Sequence, residues 1–193
     1  MIKYGIIQDA QLFRRLERDL DRLLQLDAST LAPVVARCCA LKAAVVGRDE
    51  TEGGRRAILN FGHTIGHALE ATSGYGRYLH GEAIAIGQVA AAHLSARLLG
   101  LPRRDLDRIR RLFERAGLPT SVRLNRRQRD RVFEAMRLDK KAAAGEVRFV
   151  LAERLGRAVW GQAVPAPLCH EVFDLLAGES PVTRHCLCPS VKT

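Results

Sequence analysis

The sequence is poor in aromatic residues, which make up 5% of its 193 residues, whereas hydrophobic residues as a whole make up 47%. Alanine and leucine supply much of that hydrophobic content, and both favour helix over sheet. No apolar run is both long and charge-free enough to predict a membrane span, and no charged-then-apolar leader is visible. We therefore expect one mainly helical domain in the cytoplasm, with no membrane partner.

A glycine-rich phosphate loop between a strand and a helix is also missing. Such a loop holds the pyrophosphate in dinucleotide-binding folds. The sequence therefore predicts that this chain has no dinucleotide-binding half of its own.

The five cysteines do not have the spacing of a disulfide framework. The adjacent Cys38 and Cys39 are interpreted as small buried residues, and so is Cys169 in the last predicted helix. Cys186 and Cys188 follow a histidine and have metal-ligating side chains, but they lie without further partners in a segment that contains Pro and Ser. Residues 178–193 are predicted to form a disordered or poorly packed tail.

The net charge is +10, from 31 lysines and arginines against 21 acidic residues. The arginines alternate with acids along amphipathic segments, a pattern typical of a solvated helix face. Basic strips studded with aromatic residues, which would indicate a nucleic-acid partner, are not seen. The charge suits an anionic, phosphorylated small molecule instead.

Hydrophobic periodicity predicts helices through most of the chain. The amphipathic ones cover residues 9–24, 29–46, 104–116 and 126–138, with Ser29 or Thr30 as the cap of the second. A helix that carries a histidine pair closes at residues 73–76, and a central buried helix follows at 81–99. Strands are predicted at 146–152 and 158–164, joined around Gly156, and a final helix at 165–176. The fold class is mainly α, one domain over residues 1–177 with a small β-hairpin.

Three histidines fall within one short stretch, although the chain has only six. His63 and His67 are four residues apart, so their rings project from one helical face, and His80 precedes the apolar helix. The spacing predicts a zinc-type site with three imidazole ligands, and ordinary polar histidines at a helix surface are the alternative. Gly62 and Gly66 each cost a helix roughly 1 kcal/mol, so a backbone or a ligand is expected to come close.

Several further motifs make the interpretation more specific. They are Ile2-Lys3-Tyr4-Gly5, Lys42, the run at 49–56, the stretch from Asn60 to Glu70, His80-Gly81-Glu82 and Asp139-Lys140-Lys141. In order and spacing they resemble 3-dehydroquinate synthase, a sugar-phosphate cyclase, over residues 1–177. The likeness is to the C-terminal, helical half of that enzyme, and the N-terminal NAD-binding half is expected to be absent.

The resemblance implies roles for individual residues. It implies that His63 and His80 ligate a divalent metal, Zn²⁺ or Co²⁺, together with a glutamate that falls immediately upstream of Met1. It gives catalytic roles to His67, Lys3 and Glu52. The residues expected to contact substrate are Lys42, Arg56, Asn60, Lys140 and Lys141, with no choice made between the last two.

The resemblance also implies an activity. The family uses NAD⁺, a divalent metal and 3-deoxy-D-arabino-heptulosonate 7-phosphate, eliminates phosphate as a carbon–oxygen lyase, and closes a ring to give 3-dehydroquinate. That product belongs to the shikimate pathway, which leads to chorismate and the aromatic amino acids. We expect this chain to be a truncated form that is inactive alone.

Three alternatives stay open. One is another cyclase, of the 2-epi-5-epi-valiolone or 2-deoxy-scyllo-inosose synthase type. A second is a non-catalytic helical domain that forms a homodimer or binds a partner. A more distant relative is an iron-dependent alcohol dehydrogenase, although two lysines after Asp139 argue against simple hydride transfer.

Overall fold

The computed structural model describes residues 1–47, 55–74, 77–139 and 147–178. Within these ranges it confirms a mainly helical fold with one antiparallel hairpin. The helices are α1 (Ile2–Ile7), α2 (Ala10–Leu24), α3 (Ala28–Val46), α4 (His63–Thr72), α5 (His80–Leu98), α6 (Arg103–Arg115), α7 (Arg126–Asp139) and α8 (Ala166–Gly178). A 3-10 helix spans Arg55–Asn60, and the strands are β1 (Arg148–Arg154) and β2 (Arg157–Ala163).

Asp9 joins α2 to α3. Its carboxylate accepts hydrogen bonds from the backbone N–H groups of Gln11 and Leu12, both at 2.9 Å, and so caps α2. It also accepts a bond of 2.7 Å from Nε of Arg37 on α3. The leucine face predicted for α2 is confirmed, since Leu12, Leu16, Leu20 and Leu23 are all buried. The short helix α1 was not predicted.

Helix α3 departs from the prediction in two ways. Its cap is Asp27, whose carboxylate accepts from the backbone N–H of Ser29 at 3.1 Å, so the expected cap at Ser29 or Thr30 is wrong. Helix α3 also contradicts the expectation that no apolar run could span a bilayer, because by its length and composition this helix could do so. Helix α3 has a mean hydropathy of 1.5 over its most apolar 18-residue window, and only 28% of that window is buried. A core helix or a signal sequence passes the same test.

Helix α5 forms the centre of the core, as its apolar sequence predicted. Twelve of its residues are buried, and it contacts α4, α6, α8 and β1. The hydroxyl of Ser95 accepts a bond of 2.8 Å from the backbone N–H of Ala152 on β1. This bond fixes the hairpin against the central helix.

The hairpin is confirmed close to its predicted position. β1 and β2 are antiparallel, with Arg148 opposite Ala163 and Leu151 opposite Val159. Gly156 has a φ of +82°, which glycine adopts without strain, and its N–H donates 2.8 Å to the carbonyl of Ile6. The turn of the hairpin is thereby attached to α1.

Among the residues that the structure describes, Cys38 and Cys169 are buried, as expected. Cys39 is exposed on α3, so the prediction that both adjacent thiols are buried is wrong. A helix exposes one of two consecutive residues when only one side packs against the core. The predicted tail lies outside the described residues from 179 onward.

Candidate metal centre

The three histidines of the sequence cluster meet in space. His63 begins α4, His67 lies one turn further along, and His80 begins α5. Each ring offers a nitrogen atom, and the three atoms lie within 4.8 Å of one another. The ring centroids are 5.2 Å apart for His63 and His67, 6.3 Å for His63 and His80, and 5.9 Å for His67 and His80. Three nitrogen atoms at these separations are close enough to bind a single cation.

Glycines allow the two helices to approach. A Cβ atom placed on Gly62 would lie 2.5 Å from the backbone nitrogen of Gln88, and one on Gly66 would lie 3.0 Å from Cα of Ile84. Gly62 also has a φ of +79°, where other residues are strained. The sequence predicted that a backbone or a ligand comes close to these glycines, and the structure shows the backbone of α5 there.

Two of the rings are anchored through Nδ1. Nδ1 of His63 lies 3.1 Å from the carbonyl oxygen of Phe61, and Nδ1 of His80 lies 2.9 Å from Oε2 of Glu70. When Nδ1–H donates to such an oxygen, Nε2 keeps its lone pair for a metal ion. The donor set, its spacing and its anchoring therefore fit a divalent cation.

The electrostatics favour a neutral His63. Burial, followed by the positive charge of Lys3, lowers the pKa of His63 from 6.5 to about 4, although the hydrogen bond to Phe61 opposes the change. A metal-ligating imidazole must carry a free nitrogen lone pair. Near neutral pH the ring of His63 is already neutral, so it can bind a metal ion without first losing a proton. Burial also lowers the pKa of the Lys3 ammonium, and the charge of Lys42 adds to that effect. Lys3 thus lies within electrostatic reach of both Lys42 and the histidine cluster.

The remaining predicted residues fall into two groups. Arg56 and Asn60 lie on the 3-10 helix that leads into α4, Arg56 half-buried and Asn60 exposed. Glu52, Lys140 and Lys141 lie outside the described residues.

Sequence reasoning missed Glu70 as part of this site. A signal was present, because Glu70 is seven residues after His63 and three after His67, which places all three on one face of a helix. Its partner His80 comes from a different helix, and that pairing depends on how α4 and α5 cross.

The chain is similar to known proteins over most of its length. Residues 1–142 match the family model described as 3-dehydroquinate synthase C-terminal. A 3-dehydroquinate synthase of Nitrosomonas europaea is 44% identical over 180 residues, 93% of this chain and 48% of its own length. One from Gloeobacter violaceus is 47% identical over 182 residues, 92% of this chain and 49% of its own. The chain thus spans about half the length of these relatives.

Solved structures show the same fold. The 2-epi-5-epi-valiolone synthase of Streptomyces hygroscopicus subsp. jinggangensis, solved with NAD⁺ and Zn²⁺, superposes with a TM-score of 0.81 at 22% identity over 91% of this chain and 49% of its own. A 2-deoxy-scyllo-inosose synthase, solved with carbaglucose-6-phosphate, NAD⁺ and Co²⁺, gives 0.65 at 26% identity over 75% of this chain and 42% of its own. With the family model covering most of the chain, the conclusion is direct: this chain belongs to the 3-dehydroquinate synthase family.

Proposed function

We propose that this chain supplies the metal- and anion-binding half of a 3-dehydroquinate synthase. The observation that carries the proposal is the convergence of three imidazole nitrogens within 4.8 Å beside the half-buried Lys3. The relatives that are 44% and 47% identical are 3-dehydroquinate synthases. The cyclases named for other products are 22% and 26% identical. These values favour 3-deoxy-D-arabino-heptulosonate 7-phosphate as the substrate, and a lyase reaction in the shikimate pathway.

His63 and His80 would hold a divalent cation, Zn²⁺ or Co²⁺, as found in the related cyclases. Such an ion, when bound, acts as a Lewis acid that lowers the pKa of a coordinated hydroxyl group and fixes its orientation. Stable zinc centres have three or four protein ligands, so a third ligand is required. The resemblance implies that His67 acts on protons and is not that ligand, and the variant His67→Ala tests this.

The cationic residues would bind the substrate. Lys3 and Lys42 are close enough for the charge of one to lower the pKa of the other, which indicates a site built for an anion. A phosphate or carboxylate placed between them would relieve that repulsion. The pKa of Lys3 is lowered from its ordinary value, which is the direction that favours a proton-transfer role. We propose Arg56 and Asn60 as further substrate contacts, because they precede His63 on adjoining turns.

We propose that turnover also requires a nucleotide-binding half. The matched relatives are about twice as long as this chain, and the related cyclases bind NAD⁺. The outer face of α3, which includes Val35 and Cys39, is apolar and exposed, and it carries Lys42 of the site. A protein half packed on that face would bury the apolar surface and bring the nicotinamide toward the cation. On this basis the chain would act in the cytoplasm and not in a membrane.

The test is phosphate release from 3-deoxy-D-arabino-heptulosonate 7-phosphate in the presence of NAD⁺ and Zn²⁺. We expect no turnover from the chain alone, and turnover when the N-terminal half of the Nitrosomonas europaea relative is fused to Met1. His80→Ala in the fusion should lower kcat/KM by about 100-fold or more, since loss of Lewis-acid assistance costs several kcal/mol.

Sedoheptulose 7-phosphate and glucose 6-phosphate serve as competing substrates in the same assay. A fused protein that prefers either of them would overturn the substrate assignment. Rapid turnover by the chain alone would overturn the requirement for a second half. A fused protein that folds, binds NAD⁺ and turns over none of the three would contradict the proposed activity.

A further inference from the structure

We propose that Glu70 is a positioning residue that sets the tautomer and orientation of His80 for metal binding. The inference rests on the proposed function, since it concerns the same cation site. Its basis is the 2.9 Å contact between Oε2 of Glu70 and Nδ1 of His80. The carboxylate accepts a hydrogen bond from Nδ1–H, which leaves Nε2 of the ring as the ligating atom.

The contact joins two helices at the cluster. Glu70 lies on α4, on the face that also carries His63 and His67, whereas His80 is the first residue of α5. The side chains of His80 and Glu70 are 60% and 41% exposed, so little packing restricts the His80 ring. In that environment the hydrogen bond to Glu70 is what selects one ring orientation among several rotamers.

The two anchored histidines differ in a way that can be tested. His63 is anchored by a backbone carbonyl, which no substitution removes, and it is more deeply buried. His80 is anchored by a side chain, which a substitution does remove. A carboxylate also makes the imidazole a stronger electron donor than a neutral carbonyl does. Removing Glu70 should therefore weaken the contribution of His80 to metal binding, whereas His63 keeps its hydrogen bond to the backbone.

Two measurements on the full chain test this, both with Cys186→Ser and Cys188→Ser so that the tail thiols bind no metal. The first is the Co²⁺ dissociation constant, read from the visible absorption of the bound ion. The second is the imidazole tautomer of His80 in the metal-free chain, read from long-range ¹H–¹⁵N NMR spectra at a pH where the ring is neutral.

Glu70→Ala should weaken Co²⁺ binding by about 10- to 100-fold, the usual effect of losing such an outer partner. The same variant should shift the His80 ring from the Nδ1–H form toward the Nε2–H form. Glu70→Gln keeps an acceptor oxygen, so it should retain the tautomer and weaken binding less. The matched control is Glu171→Ala, which removes another exposed glutamate. Glu171 lies on α8 and pairs with Arg97 of α5 at 2.6 Å, so this variant should change neither quantity.

The outcomes separate this inference from the proposed function. If the chain alone binds Co²⁺ too weakly to measure, the same comparison is made in the fused protein, and if the fused protein binds no Co²⁺ either, the proposed cation site is wrong. If the parent binds Co²⁺ and Glu70→Ala binds it as tightly as Glu171→Ala does, the cation site stands and the role of Glu70 is wrong. Weaker binding without a change of tautomer would also overturn the inference, because it would reflect only the lost charge.

Discussion

A Cβ atom on Gly87 would lie 2.1 Å from the carbonyl oxygen of Gly62, a separation far below any real contact. Helices α4 and α5 therefore cross at a point where only the absence of a side chain lets their backbones meet. Because His63 follows Gly62 directly and His80 begins α5, this crossing also sets the distance between the proposed ligands.

Gly87→Ala should lower the free energy of unfolding by about 3 kcal/mol, since the added methyl group forces two packed backbones apart. Urea denaturation followed by circular dichroism measures the change. Gly81→Ala is the matched control on the same helix, where an added Cβ has no neighbour within 4 Å. It should leave stability unchanged or raise it by up to about 1 kcal/mol, because alanine is the better helix former. Equal effects of the two substitutions would show that the crossing is not tightly packed.

Asp9 should contribute to stability through both its cap and its ion pair. Asp9→Ala removes the acceptor for two backbone N–H groups of α2 and for Arg37, and should cost about 2 kcal/mol. Asp19→Asn, which alters the solvent-screened pair with Arg18, should have a much smaller effect. Chemical denaturation of the two variants side by side makes the comparison, and similar losses would contradict the assigned role.

The carboxylate of Asp9 also makes the free energy of unfolding depend on pH. Burial raises the pKa of Asp9, but the hydrogen bonds from the backbone of Leu12 and from Arg37 outweigh it, so the pKa is below its usual 3.8. The stabilisation is therefore present above pH 3.8 and is lost as the pH falls through the lower folded-state pKa. The difference in unfolding free energy between the parent and Asp9→Ala should shrink over that range.

His63 should destabilise the metal-free chain in mild acid. Its pKa is about 4 when folded and 6.5 ordinarily, so the unfolded state takes up the proton first. The free energy of unfolding should therefore fall as the pH drops from 6.5 toward 4, in the presence of a chelator. An NMR titration of the ring measures its pKa directly, and Lys3→Met should raise that pKa by removing a nearby positive charge. A ring that titrates near 6.5 would contradict the burial seen here.

His67 is the residue for which spacing and resemblance gave different roles. If it transfers protons, His67→Ala in the fused enzyme should lower kcat by about 100-fold or more and leave the Co²⁺ affinity unchanged. If it is the third ligand, the same variant should lose Co²⁺ affinity as severely as His80→Ala does. We expect the first result, with the third ligand supplied by the fused N-terminal half, where the resemblance places the glutamate ligand. Parallel metal titration and steady-state kinetics distinguish the two.

Periodicity predicted those parts of the fold that depend on local pattern. Local sequence pattern predicted three features that the folded structure keeps. They are the leucine face of α2, the apolar run of α5 and the turn at Gly156. Helix α1 was missed because six residues are too few to show a period, and its Gly5 is a poor helix former that is needed where Phe13 comes close.

The residues of the site were easier to predict from the sequence than their arrangement in space. The spacing of His63 and His67 on one face follows from helix geometry alone. That His80 meets them depends on the contact between Gly62 and Gly87, which no local pattern shows. The exposure of Cys39 was missed for a related reason, since which side of α3 faces the core is decided by its neighbours.

The most direct test of the cation site is anomalous X-ray scattering at the zinc absorption edge. Crystals of the chain with Cys186→Ser and Cys188→Ser, grown with Zn²⁺, should show one strong peak bonded to ring nitrogens of both His63 and His80, at about 2.0–2.1 Å. A map with no peak between those two rings, or with its strongest peak elsewhere on the chain, would contradict the account.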